Sequence, residues 1–238
     1  MTSTMNSAVS VAIIGGGPCG LMTALLLARA GIRCVVLERK PGISTHPKAM
    51  SISRRTSELY RHLGLFDAIK NGSLAADGCF CFIWARSLVG EELGRVKNSY
   101  AYFANEFTPC IGLHCPQTWI EKVLLDAVTA EPLAEVKFNC EVLSIELQNN
   151  FVRLSLPAEQ TFDVPWLVAA DGAGSGVRRQ FGVETDGPGD MGHFINVMFR
   201  ANYGTRLQER PAFFYPTVSS EYFGQCKTPT ATPTRFSR

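Results

Sequence analysis

The sequence has no block of charge of either sign. Its 23 Lys and Arg nearly balance 21 Asp and Glu, leaving a net charge of +2, too little and too dispersed for the basic footprint of a nucleic-acid binder. No C-x-x-C pair occurs among the eight cysteines, and the four histidines stand far apart at positions 46, 62, 114 and 193, so the spacing of a zinc site is missing. His114-Cys115 is an adjacent pair of candidate ligands whose neighbours supply no others. The opening MTSTMNSAVS lacks the basic start and long apolar stretch of a secretory signal, which argues for reduced thiols and a cytoplasmic location. The longest apolar stretches, VAIIGGG and LMTALLLARAG, are too short or too interrupted to span a bilayer. There is no internal repeat.

What is there is an ordinary globular balance, 46% hydrophobic and 18% charged over 238 residues, enough for one or two domains with a substantial core. The start reads strand, glycine turn, helix, strand: SAVSVAIIGGG, PCGLMTALLLARAG, IRCVVLER. The first strand is continuously apolar, as when helices cover both faces of a parallel sheet. Leu21, Ala24, Leu25 and Ala28 share one face of the helix, and Gly31 is placed to stop it. SRRTSELYRHLGLFDAIKNG has Leu59, Leu63, Phe66 and Ile69 at helical spacing. GCFCFIW and SYAYFANEF read as strands of a separate sheet, and Pro116 opens a helix through QTWIEKVLLDAVTA. AEVKFNCEVLSIEL and FVRLSL read as adjacent strands about the turn Asn149-Asn150, with Leu143, Ile145 and Leu147 facing one way. WLVAA is a short buried strand, INVMFRANY another strand, and the Thr/Pro-rich end from residue 226 is expected to be disordered.

Gly15, Gly17 and Gly20 satisfy G-x-G-x-x-G between that first strand and helix. The first glycine permits a tight turn, the second lets backbone approach a pyrophosphate, and the third lets helix pack closely on strand. The helix N-terminus offers free N–H groups and partial positive charge to phosphates. Glu38 ends the second strand, placed to accept hydrogen bonds from ribose hydroxyls. An acid there disfavours a 2′-phosphate and hence NADP in this site, leaving NAD and FAD open. Asp171-Gly172 ends WLVAA in a glycine turn, followed by Ser175 and Arg178 in the spacing D-G-x-x-S-x-x-R. A carboxylate there can face a ligand in the crevice above the sheet, or can simply cap a helix beginning near Ser175.

Four stretches together make the chain resemble the FAD-dependent monooxygenases of the phenol hydroxylase and para-hydroxybenzoate hydroxylase superfamily, in the branch of phenol and chlorophenol monooxygenases and aromatic polyketide hydroxylases. They are IIGGGPCGLMTALLLARAGIRCVVLER, HPKAMSISRRTSELYRHLGL, HCPQTWIEKVLL and LVAADGAGSGVRRQFG, spanning residues 11 to 182. The resemblance implies an α/β fold: a Rossmann-like FAD-binding domain with a parallel sheet, over residues 1–72 and 113–190, plus an incomplete mixed or antiparallel substrate-domain sheet over 73–112 and 191–225. It implies FAD as cofactor and NADPH or NADH as co-substrate. In this family a flavin C4a-hydroperoxide hydroxylates a phenolic or polyketide-like ring, often in secondary metabolism. Carried over by position, Gln117 faces the flavin's phosphate or ribityl portion, Arg39 lies near the adenine, and Asp171 and Gly172 lie in the flavin and nicotinamide region. Lys48 stands where the family usually has Arg, keeping the charge and losing the planar fork. No catalytic base is assigned; Tyr60, Tyr100, Tyr102 and His193 are available.

One family feature is missing. The third fingerprint, a Gly-Asp pair ahead of a small-residue helix, has only Gly189-Asp190 to match it, too early and followed by the strand-like MGHFINVMFR. The expectation is a shortened chain whose isoalloxazine site is incomplete and whose strands INVMFR and AFFYP lack neighbours. An inactive flavoprotein remnant is therefore the alternative, and an NAD-dependent dehydrogenase a third reading. Oligomeric state is not legible.

Overall fold

The computed structural model describes residues 9–46, 48–73, 81–87, 90–97, 107–187, 189, 214–218 and 223–227. The chain divides into two units. One comprises Met1–Lys48 and Gln117–Gly189, the other Ala49–Pro116 and Asp190–Arg238. The divisions thus fall at residues 48 and 116, where the sequence reading puts them at 72 and 112.

The first unit is built on β1 (Val11–Ile14), α1 (Pro18–Arg29) and β2 (Cys34–Leu37). In the second unit lie β3 (Ser51–Ile52), α2 (Arg54–His62), α3 (Phe66–Asn71), β4 (Cys81–Ala85), β5 (Glu92–Lys97) and β6 (Leu113–His114). The chain then returns to the first unit with α4 (Gln117–Thr129), β7 (Ala134–Lys137), β8 (Ser144–Leu147), β9 (Val152–Leu156), β10 (Gln160–Val164), β11 (Trp166–Ala169) and α5 (Gly176–Gln180). It finishes in the second with β12 (Phe214–Val218) and β13 (Phe223–Lys227).

In the first unit β11, β1, β2 and β7 form a parallel sheet in that order. Leu21, Ala24, Leu25 and Ala28 of α1 are all buried, and Pro18 sits in the first turn, where its missing N–H costs nothing. Each fully buried leucine contributes roughly 1.5–3 kcal/mol. The helix stops at Ala30, just before Gly31. Helices α1 and α4 pack on one another and on the sheet. The antiparallel meander β8-β9-β10 covers the opposite face, where Ala12, Val35 and Leu37 meet Ile145, Leu154, Leu156, Phe162 and Val164 in one core. The apolar first strand is thus covered by helices on one side and by a second sheet on the other, which corrects the expectation of helices on both faces.

Two further corrections concern exposure. Among the described residues WLVAA pairs with β1 along one side only and forms the sheet edge; Trp166 is 70% exposed, against the expectation of a buried strand. Ile145 of β8 is buried while Leu143, before the strand, and Leu147, at its end, are exposed, because of the three only Ile145 packs into the core.

In the second unit the predicted long helix divides into α2 and α3. Gly64, at φ +71°, turns the chain between them, a conformation that ends helices. Ser53 caps α2, its hydroxyl accepting from the Thr56 N–H at 3.2 Å. Strand β12 pairs parallel with β4 and antiparallel with β13, and β4 pairs antiparallel with β5, giving a mixed sheet. Residues 214–218 therefore have neighbours on both sides, against the expectation of an unpaired AFFYP. Cys226 and Lys227 belong to β13, so the predicted tail does not begin at 226. SYAYFANE, all of INVMFRANY, and residues 228–238 lie outside the described residues.

Candidate functional site

The turn after β1 and the turn after β11 meet. Gly15 has φ +108°, and a Cβ there would strike the carbonyl of Ala170 and approach the Asp171 Cα to 3.0 Å. Only glycine allows both the backbone conformation and this approach. Gly20 lies buried at the start of α1, where a Cβ would collide with the Gly15 carbonyl oxygen and come within 3.4 Å of the Ile13 Cγ2. Gly17, the N-cap of α1, differs from both. Its φ of −77° and ψ of −176° suit any residue, and no atom lies within 4 Å of the Cβ position. The fold by itself gives no reason for glycine there.

The α1 N-terminus has no side-chain cap and no acidic residue in its first turn. Its first intrahelical donor is Leu21, bonded to the Gly17 carbonyl at 3.0 Å, so the preceding amides have no partner within the helix. Glu38 is fixed beside them: one carboxylate oxygen accepts the Gly16 N–H at 2.6 Å and the other the Lys40 N–H at 2.9 Å.

These groups line a cavity of about 870 Å³. Of the nine residues singled out from the sequence, Gly15, Gly17, Glu38, Arg39, Lys48, Gln117, Asp171 and Gly172 all border it. Gly20 does not; it works behind the wall, as a packing residue. Asp171 is held by the Ser175 hydroxyl at 2.6 Å and the Val177 N–H at 3.2 Å. Burial pushes its carboxyl up, but Ser175 and the N–H groups of Val177 and Gly176 bond the charged form and bring it below the usual carboxylate value. Asp171 therefore helps cap α5 and borders the cavity at once; the two readings of that turn coexist.

Other cavity residues went unnoticed in the sequence. Glu121 is buried on α4, one oxygen accepting from the Gln117 Nε2 at 2.6 Å and the other from the Ser44 N–H at 2.7 Å. The signal was a charge on the same stripe as Leu124 and Val128. Arg179 adds a cation and Leu143 an apolar surface. Tyr60 is buried on α2 in the other unit, while Tyr100, Tyr102 and His193 lie outside the described residues. Among the described residues no His, Cys, Asp or Glu group is arranged to hold a metal, and no helix is long and apolar enough to cross a membrane. Cys19, Cys34, Cys110, Cys115 and Cys140 are free thiols.

The family model of the FAD-binding domain matches residues 8–235. The chain belongs to this FAD-binding family. Membership decides between the two dinucleotides that the glycine turn leaves open, and sets aside the NAD-dependent dehydrogenase reading. Among curated relatives, the aklavinone 12-hydroxylase DnrF of Streptomyces peucetius is 36% identical over 208 residues, 82% of this chain and 42% of its own. The 4-methyl-5-nitrocatechol 5-monooxygenase of a Burkholderia species is 32% identical over 203 residues, 82% of this chain and 36% of its own. Among solved structures, p-nitrophenol 4-monooxygenase PnpA from Pseudomonas putida DLL-E4 superimposes with a TM-score of 0.65 at 31% identity, covering 77% of this chain and 46% of that one. This FAD-binding chain spans less than half the length of the relatives it matches.

Proposed function

We propose that the cavity holds FAD and that the chain provides the dinucleotide-binding part of an NAD(P)H-dependent monooxygenase acting on a phenolic or polyketide-type aromatic ring. The carrying observation is Gly17, a glycine that the fold does not require, standing as the N-cap of α1 on the cavity wall. The cavity volume lies within the range of about 300–1,000 Å³ usual for small-molecule and cofactor sites.

In this reading the amides at the start of α1 bind the pyrophosphate, with Gly15 and Gly20 setting the turn. Glu38 accepts the adenosine ribose hydroxyls, and Arg39 lies beside the adenine. Gln117 meets the phosphate or ribityl portion; Lys48, Asp171 and Gly172 serve the flavin end. When bound, FAD supplies electron transfer from NAD(P)H and activation of oxygen. The protein's own contribution is binding, orientation and exclusion of water. The hydroxylase relatives support the reaction class, and a cytoplasmic setting goes with it.

Flavin fluorescence tests the proposal. Saturable quenching by the purified chain, competed by ADP and much weaker with FMN, is expected. Equal quenching of FMN and FAD, or none of either, overturns it.

A further inference from the structure

Glu121 is the charged residue least explained by the reading above. It sits in the buried stripe of α4, 3% exposed, and both of its oxygens are engaged by donors from different segments: the Gln117 side-chain amide, one turn earlier on α4, and the Ser44 backbone N–H, 77 residues away in sequence. Ser44 lies in the loop between Arg39 and Lys48, and all five residues border the same cavity. An ionised carboxylate only accepts hydrogen bonds. A contact of 2.6 Å between it and the Gln117 amide therefore commits the amide nitrogen to Glu121 and decides which end of the amide is turned to the carboxylate.

We infer that Glu121 is a positioning residue for the dinucleotide site. It sets the polarity of the Gln117 amide and fastens the Arg39–Lys48 loop to α4 through Ser44. It touches no ligand itself on this account; it acts through Gln117 and the loop. The inference rests on the assignment of the cavity to FAD.

The isosteric Glu121→Gln separates the two tasks. Its amide oxygen can still accept the Ser44 N–H, while its NH2 group must face Gln117 and forces that amide to turn over. The Ser44 N–H keeps its acceptor and the contact between the loop and α4 is retained, while the polarity presented by Gln117 inverts. Expected results are a melting temperature close to that of the parent and FAD binding weaker by about tenfold or more, the scale of one hydrogen bond involving a charged partner. In a Gln117→Ala background the same substitution has almost no further effect, an outcome that a purely structural role for Glu121 does not produce. Glu121→Ala also frees the Ser44 amide, seen as faster hydrogen exchange in the ligand-free chain.

Fluorescence titration of FAD into the parent, Glu121→Gln, Gln117→Ala and the double variant decides the matter. Parent-like affinity in Glu121→Gln, or an equal loss with and without Gln117, overturns the positioning role while leaving the FAD reading intact. Failure of the parent to bind FAD overturns the FAD reading and this inference with it.

Discussion

Replacing Gly17 by alanine separates what the fold needs from what the ligand needs. The added methyl enters open space at a residue with ordinary backbone angles. Alanine is a poorer N-cap than glycine by a few tenths of a kcal/mol up to about 1, while the stiffer unfolded chain returns about 0.4–1 kcal/mol. The two terms oppose each other, so net stability changes by less than about 1 kcal/mol, a shift in melting temperature within roughly 4 °C for a chain of this size. The ligand meets a different balance. A methyl between pyrophosphate and the first amides of α1 removes at least one charge-assisted hydrogen bond, about 1.5–3 kcal/mol, or roughly a tenfold to hundredfold loss of FAD affinity. Thermal melting without ligand and fluorescence titration with FAD, run on the same preparations, read both. An FAD affinity within about twofold of the parent, or a large fall in melting temperature without ligand, refutes the reasoning.

Gly20→Ala is the converse case: its Cβ collides with the Gly15 carbonyl, an overpacking strain of about 1–3 kcal/mol, so the ligand-free melting temperature falls. Asp163 is held below the usual carboxylate value by its hydrogen bonds and ion pair with Arg153, and Asp171 is depressed as well. Groups depressed in the folded state stabilise it above their unfolded value and lose that contribution as pH falls through the folded one. Melting temperature should therefore drop on acidification below the ordinary aspartate range, less steeply in Asp163→Asn. Burial pushes the Cys115 thiol up to about 11, against a smaller opposing effect of the Ser73 hydrogen bond, whereas Cys19 is exposed at the cavity wall. Alkylation at neutral pH followed by peptide mass spectrometry should label Cys19, spare Cys115, and spare Cys19 too when FAD is present.

The parts of this protein that were legible in its sequence are those fixed locally. β1, α1 and β2 follow from a continuous apolar run, a 3.6-residue stripe and glycine punctuation, and Glu38 lies where the strand length puts it. What was missed depends on distant partners. That Trp166 lies on a sheet edge is set by the absence of a neighbour beyond β11 among the described residues, which an apolar run does not encode. The meander on the second face of the sheet is defined by packing against β1 and β2 residues across the core. The pairing of β12 with β4 joins segments from opposite ends of the chain. Glu121 was overlooked because its meaning lies in a contact with Ser44. Gly64 is a local miss: the helical spacing of the leucines around it outweighed a glycine that stops the helix.

On the proposed reading, two turns far apart in sequence, at Gly15–Gly20 and Asp171–Val177, together hold one FAD. Amide hydrogen exchange with and without FAD tests it most directly. Added FAD should slow exchange in both turns over the same range of FAD concentration. Slowing in one turn only, or in neither while FAD is bound, would contradict it.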